Sequence, residues 1–402
     1  LTANITTLQN HELIFHSIPN AFNFDKASFK NFPKIVISDN INSFFPVSEV
    51  YFKDSLGVIP ETIGFIEGLE VKLQIGNIDD GYVGGDFALV TTQMNDVVLA
   101  NNLSGNTIFI FVSRHYFNNE KKTRSYKDTI SNIIKNICLT DYNLDITKQF
   151  ISNTIGNDYY YQGNIRTSKF IEQLSDQAYS QNNPKSPFYT FHNVNGEFYF
   201  MTINEMFAQK VINPDNPYLI KQDKDSSTNP YHIQDYWIQN LGAEENFLNY
   251  KINIFKNASD LSIDNNELDY KDHVYRDENG KILIRKQYQK VTRNVNLGLY
   301  DSTNDLNRFQ GLQNTLYRNS ALPTRLIMVA HLNPLLVAGK TINLEVQSND
   351  LEKGLSKEYS GKWLCMGVKI YDDQDNIPYV EALLAKSTIY IDERHPYKKD
   401  FL

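Results

Sequence analysis

Three carboxylates in one stretch, Glu197, Glu205 and Asp215, are the first residues here whose chemistry has to be weighed. Two carboxyl groups flanking a sugar can cleave a glycosidic bond, one as acid and the other as base or nucleophile. That reaction needs a fixed separation, and nothing in this spacing sets one. Two other acidic groups stand beside glycines or crowd a turn: Asp79, Asp80 and Asp86, and Asp372, Asp373 and Asp375. Neither follows the calcium loop with its terminal glutamate, so solvated hairpin turns are the expectation. The histidines (His11, His16, His115, His192, His232, His273, His331 and His395) are dispersed, with no i, i+4 pair beside an acidic partner, and predict no metal centre. Gly84-Gly85 lacks the lysine and hydroxyl residue of a phosphate-binding loop. The expectation is a building part without catalytic residue, cofactor or metal, and not an enzyme.

The bulk numbers agree. A chain of 402 residues exceeds one comfortable core and points to about two to four domains. Hydrophobic residues at 41% and charged ones at 21% describe a folded chain and exclude wholesale disorder. A net charge of -8 with no evident basic face gives no reason to bind nucleic acid specifically. Cys138 and Cys365 are too few for a disulfide framework and sit among apolar neighbours, which predicts buried free thiols. No run approaches the ~18 apolar residues of a membrane span, and the opening LTANITTLQNHELIF lacks the pattern of a secretory signal. The glycosylation patterns at Asn4, Asn102 and Asn257 therefore carry little weight. The 25 Tyr and 24 Phe suit a strand-rich, assembly-forming protein, although an AT-rich genome explains such an excess as well.

The elements that must position these residues are mostly strands. Lys34–Ser38, Glu49–Phe52, Glu70–Ile75, Phe87–Val90 and Thr107–Val112 read as short strands, with Gly81, Gly84 and Gly85 marking a turn. Helical spacing follows from Tyr126 to Cys138, with Ser125 or Thr123 as its cap, and again from about Thr167 to Tyr179, capped by Thr167. The segment from Lys169 to Phe200 then gives an amphipathic helix, a polar loop and two aromatic strands meeting at Asn195-Gly196, a strong hairpin signal. Between Asn213 and Tyr236 the chain turns polar and reads as a surface loop or crossing. Strand-like pieces return at Tyr250–Ile254 and, after Asn279-Gly280, at Lys281–Ile284, before a helix from about Ser302 to Tyr317. Arg325–Ala330, Thr341–Val346, Gly361–Val368 and Tyr379–Ile391 close the chain as a second small strand set that echoes the first. The class is β-rich α+β multidomain, divided as 1–115, 116–210, 211–300 and 301–402.

This pattern resembles the central baseplate hub proteins of contractile-tailed phages, the late control protein D-like family shared with pyocins, extracellular injection systems and type VI secretion spikes. The resemblance rests on Phe170, Ile171, Leu174 and Ala178 in the helix, and on Phe188, Tyr189, Gly196, Phe198 and Phe200 in the hairpin. In the closing strand set it rests on Leu326 to Ala330, Gly339, Ile342, Leu344, Gly361, Trp363, Val368 and Tyr379 to Leu384. It covers about half the chain by motif and the rest by order of parts. Residues 201–300 have no counterpart, and Asn182 to Ser186 lengthens the loop before the hairpin.

The resemblance implies two tube-like β-barrel domains, 1–115 and 301–402, with inserted α+β domains between them. It implies a homotrimer that joins a threefold cell-puncturing spike to a sixfold tail tube or tube-initiator protein. The hub would touch baseplate wedge proteins and line a channel through which DNA passes without specific binding. It implies no stable membrane association, and a place in the virion tail baseplate after assembly in the host cytoplasm. The other functions weighed are the hub of a non-phage injection system, a non-contractile tail tip, and a receptor- or glycan-binding tail protein. The last of these would expose aromatic clusters in a groove.

Overall fold

The computed structural model describes residues 12–15, 23–24, 34–54, 67–77, 81–95, 105–183, 186–220, 231, 233–240, 250–255, 269–276, 282–296, 318, 322, 324–347, 355–356, 359–372 and 377–386. Strands dominate because short runs alternate buried and half-buried residues, as a strand with one face on a core requires. The first seven are β1 (Glu12–Phe15), β2 (Asn23–Phe24), β3 (Lys34–Asn40), β4 (Val47–Asp54), β5 (Glu70–Asn77), β6 (Gly81–Asn95) and β7 (Gly105–Ser113). They lie in the order β3-β4-β7-β6-β5-β1-β2, every pair antiparallel.

A mixed segment follows. β8 (Lys121–Asp128) and β10 (Asp158–Arg166) form a two-stranded antiparallel ribbon, between which the chain makes α1 (Ile130–Thr140) and β9 (Gln149–Ile151). After α2 (Thr167–Gln177), the hairpin β11 (Phe188–His192) and β12 (Phe198–Thr202) takes β9 as a parallel third strand and leads into α3 (Ile203–Ala208).

The remaining strands are β13 (Tyr218–Ile220), β14 (Asp235–Asn240), β15 (Tyr250–Phe255), β16 (Asp269–Arg276), β17 (Ile282–Asn296), β18 (Thr324–His331), β19 (Thr341–Val346), β20 (Gly361–Asp372) and β21 (Tyr379–Lys386). β15, β17 and β16 make a separate three-stranded sheet. The others join the first seven through β20. One edge of β20 pairs with β21; the other pairs with β19 at its start and with β3 from Gly367 onward, past a bulge at Cys365/Gly367. The two strand sets are thereby one 13-stranded sheet, running as an open path from β14 to β2, in which no closed barrel is detected among the described residues. The β-rich α+β multidomain reading is borne out. A single core beneath the joined sheet draws Ile35, Ile37 and Val50 from one set and Met328, Trp363 and Ile370 from the other.

Several sequence expectations need correction. The helix expected from Tyr126 begins at Ile130, capped by Thr129, whose side chain accepts from the Asn132 N–H. The residues before it form β8. That strand lacks apolar alternation, because the ribbon side toward α1 is built from the Arg124 and Lys122 cations closing on Asp141. Thr167 is the first residue of α2 and not its cap, which is Arg166 without a side-chain bond. Gly81, Gly84 and Gly85 lie within β6, in ladder with Asn77, Gln74 and Leu73. Gly84 is required there because a Cβ would stand 1.9 Å from the Leu73 carbonyl oxygen. The polar interval 213–236 contains β13, and β14 begins inside it. The Asn279-Gly280 turn, the helix from Ser302 to Tyr317, and residues Asp79, Asp80, Asp373, Asp375 and 387–391 lie outside the described residues. Cys138 and Cys365 are buried free thiols, as expected.

Candidate functional site

The aromatic hairpin reads as a nearly continuous apolar run because both of its faces are buried. On one face Phe188, Phe198 and Phe200 pack with Phe170 and Leu174 of α2 and with α1. Phe188 and Phe200 stack with ring centroids 4.6 Å apart. On the other face Tyr189, Phe191 and Tyr199 pack against Ala338, Leu364 and Met366 of the C-terminal strand set and Ile41 of the N-terminal one. Phe191 and Tyr199 stack at 4.8 Å, and Tyr199 stacks on Phe150 at 4.8 Å. Each such fully buried ring is worth roughly 1.5–3 kcal/mol of burial. The hairpin is therefore a wedge between the helices and the joined sheet.

Its tip is where three distant parts of the chain meet. Val194, Asn195 and Gly196 form a three-residue hairpin loop closed by the Asn193 N–H donating to Glu197 O at 2.9 Å; the Gly196 N–H donates to Asn193 O at 3.0 Å, and Gly196 takes the left-handed conformation at φ 72°. The Val194 N–H donates to Asp39 Oδ2 at 3.1 Å, and the Ala338 N–H donates to the same oxygen at 3.2 Å. One carboxylate at the end of β3 thus ties the hairpin tip to the loop before β19. Three glycines allow the close approach. A Cβ on Gly85 would lie 2.6 Å from Val194 O, one on Gly339 2.7 Å from Phe191 Cζ, and one on Gly367 2.9 Å from Asp39 O. Lys340 adds an ion pair to Glu197 at 2.9 Å, with both side chains about 21% exposed.

The electrostatics follow from this burial. Desolvation pushes the Asp39 carboxyl up to about 7, against the two N–H donors, which favour its ionised form. Burial works to raise Glu197 as well, but Lys340, Asn193 and Tyr199 together hold it below the usual carboxylate range. Beside the tip, His192 is fully buried with neither ring nitrogen hydrogen-bonded, and its ring stacks on His115 at 5.1 Å and on Phe45 at 5.3 Å. Burial lowers His192 well below the ordinary histidine value; burial, then Arg114, lowers His115 to about 4. Both are neutral aromatic packing elements near pH 7.

The candidate chemistry is dispersed into structural work. Glu197 belongs to the junction. Glu205 sits in the first turn of α3, capped by Thr202: its backbone N–H donates to Thr202 Oγ1 at 3.3 Å, and its carboxylate accepts from the Thr202 and Ser152 hydroxyls. Asp215 is exposed. Asp86 faces Arg114 at 3.9 Å. No group of three or more His, Cys, Asp or Glu among the described residues is placed to hold a metal ion. No helix among them is long and apolar enough to cross a membrane.

The residues carrying the resemblance fall into two places. Phe170, Leu174, Phe188, Tyr189, Gly196, Phe198 and Phe200 build the wedge, and Gly339 meets its outer face. Ile342, Leu344, Trp363 and Val368 lie in the core of the joined sheet. Gly361 opens β20 at φ 110°, and Tyr379 stacks on Tyr371 at 4.8 Å. Sequence reasoning missed Asp39, Gly85, Val194, Lys340 and the stacked histidines. Only the unusual length of the aromatic run hinted that the hairpin was covered on both sides.

Comparison with known proteins agrees with this architecture. No protein-family model matches the chain, and no curated protein matches it. Among solved structures it is similar to a 43 kDa tail protein of prophage MuSo2 from Shewanella oneidensis (TM-score 0.53, 9% identity, covering 94% of this chain and 97% of that one). It is similar to a tail protein from Neisseria meningitidis MC58 as well (TM-score 0.56, 9% identity, covering 95% and 97%). At this identity the likeness establishes a shared fold: the chain has the fold of these two tail proteins over nearly its whole length.

Proposed function

We propose that this chain is a structural component of a phage tail baseplate, the homotrimeric central hub that joins a threefold spike to a sixfold tail tube and lines a channel for DNA. The observation that carries the reading is the near-complete coverage, in both directions, between this chain and the two tail proteins. The architecture supports it physically. Two strand sets per subunit, taken three times, offer six similar faces to a sixfold tube. For that geometry to hold, the two sets must not move against each other; here they share β20, one core, and a junction fixed by Asp39 and the aromatic wedge.

An edge also calls for a partner. Among the described residues β14 pairs only with β18, and its Tyr236 and Trp237 side chains are exposed. An open edge carrying large aromatics invites association, and a closed ring of subunits covers such edges. The spike, a tube or tube-initiator protein and the wedge proteins are the partners of this reading, and the virion tail is its location. We read the chain as non-catalytic, since Glu197 and Glu205 are each committed to a structural contact. Electron microscopy of the purified protein tests the proposal: class averages should be threefold rings with a central channel. Compact particles without a channel would refute it.

A further inference from the structure

The outer face of the β8–β10 ribbon is a surface that the hub reading does not use. Exposed and covered residues alternate along both strands, so the register turns every second cross-strand pair toward solvent. Among these outward pairs are Lys127 with Tyr159, Ser125 with Tyr161 and, past the bulge, Lys121 with Arg166. All six residues are exposed, the two tyrosines at 68% and 67%. The ribbon treats charge differently on its two faces. Toward α1, Lys122 and Arg124 are neutralised by Asp141. On the outer face Lys121, Lys127 and Arg166 form no ion pair among the described residues. Lys127 lies 4.8 Å from the Tyr159 centroid and Arg166 5.3 Å from that of Tyr116, contacts that orient both cations without cancelling their charge. The ribbon's own carboxylates, Asp128 and Asp158, form a cross-strand pair at an inward position, where Asp128 accepts from the Thr129 N–H and the Asn132 amide. In a chain of net charge -8 this face is a patch of the opposite sign.

We infer that this face docks an extended, acidic segment of a partner protein. Side chains two apart on a strand stand about 7 Å apart, so carboxylates at every second residue of such a segment match the spacing of the ribbon's outward positions. Neither long edge of the ribbon pairs with a further strand among the described residues. The segment can therefore hydrogen-bond along an edge while its side chains reach the cations. Exposed tyrosine and arginine are the side chains that carry most contact energy at interfaces, and the rings supply area that charge alone does not. A nucleic acid fits less well. Three cations are few for a polyanion that the whole chain repels, and the Lys127 side chain already covers one face of the Tyr159 ring that a base would stack on. The inference stands or falls independently of the hub reading.

The test is fluorescence anisotropy on the full chain with a labelled decapeptide of alternating Glu and Val as the probe. The expected result is binding that weakens as salt is added, with no binding of the matching Lys-Val peptide. Reversing two charges together, Lys121→Glu with Lys127→Glu, should weaken binding at least about tenfold, and Tyr161→Ala about fivefold. Lys369→Glu, an exposed lysine on β20, serves as the control and should change affinity by less than about twofold. Thermal unfolding of all these variants should match the parent, because the altered side chains are exposed. Absence of Glu-Val binding would overturn the inference, as would binding indifferent to the double reversal. Tighter binding of oligothymidylate or of phosphatidylglycerol vesicles at these residues would overturn it too, in favour of a nucleic acid or a membrane surface.

Discussion

Replacing Gly339 with alanine should destabilise the protein by about 2–5 kcal/mol, and the structure allows that figure to be built from two parts. Gly339 sits at φ 84°, where an L side chain costs about 1–2 kcal/mol. The new methyl would also stand 2.7 Å from Phe191 Cζ and 3.4 Å from Tyr199 Cε1, both rings of the buried wedge. Forcing a methyl into a packed interior costs about 1–3 kcal/mol. Gly196 isolates the first part. It sits at φ 72° in the same hairpin, and a Cβ there meets only the flexible end of Lys148 at 3.9 Å. Gly196→Ala should therefore cost only about 1–2 kcal/mol. The assay is urea unfolding of both variants, followed by tryptophan fluorescence, since buried Trp363 reports on the joined core. If Gly339→Ala proves no more costly than Gly196→Ala, the wedge yields to a methyl group and the rigid-junction argument fails.

Three further predictions follow from the same region. The Asp39 carboxyl is raised to about 7 from an ordinary value near 3.8, so its contribution to stability is full below pH 3.8 and is lost as pH rises through 7. Asp39→Asn should flatten that decline in a series of denaturation midpoints against pH. The histidines act in the opposite sense: His115 falls to about 4 and His192 well below 6.5, so the unfolded chain protonates first and stability is lost as pH drops from 6.5 toward 4. His192→Phe, which keeps the ring packing and removes two unbonded nitrogens, should reduce the loss of melting temperature between pH 7 and pH 5. Lys340→Met leaves Glu197 buried without its cation and should cost about 2–4 kcal/mol, with the Glu197 carboxyl titrating higher by NMR.

How much of this was legible depended on how far a residue's partners lie along the chain. β18 and β19 could be read because alternation along one strand records its one buried face. The wedge could be read as a hairpin because Asn195-Gly196 sits between aromatic runs, although the loop uses Gly196 alone in the left-handed position. β8 was hidden because charged side chains line it. The glycines of β6 were misread as a turn, since the backbones that demand them, at Leu73 and Val194, come from elsewhere. Asp39 had no local signal at all: its two donors are 155 and 299 residues away. The joining of β20 to β3 was likewise invisible, because pairing between the two ends of a chain leaves no periodicity in either end.

The central claim, a threefold hub, is tested most directly by the absolute mass of the purified protein from light scattering over a range of concentrations. The account predicts a stable species at three times 46.4 kDa, about 139 kDa. A 46.4 kDa monomer persisting at the highest concentration would contradict it.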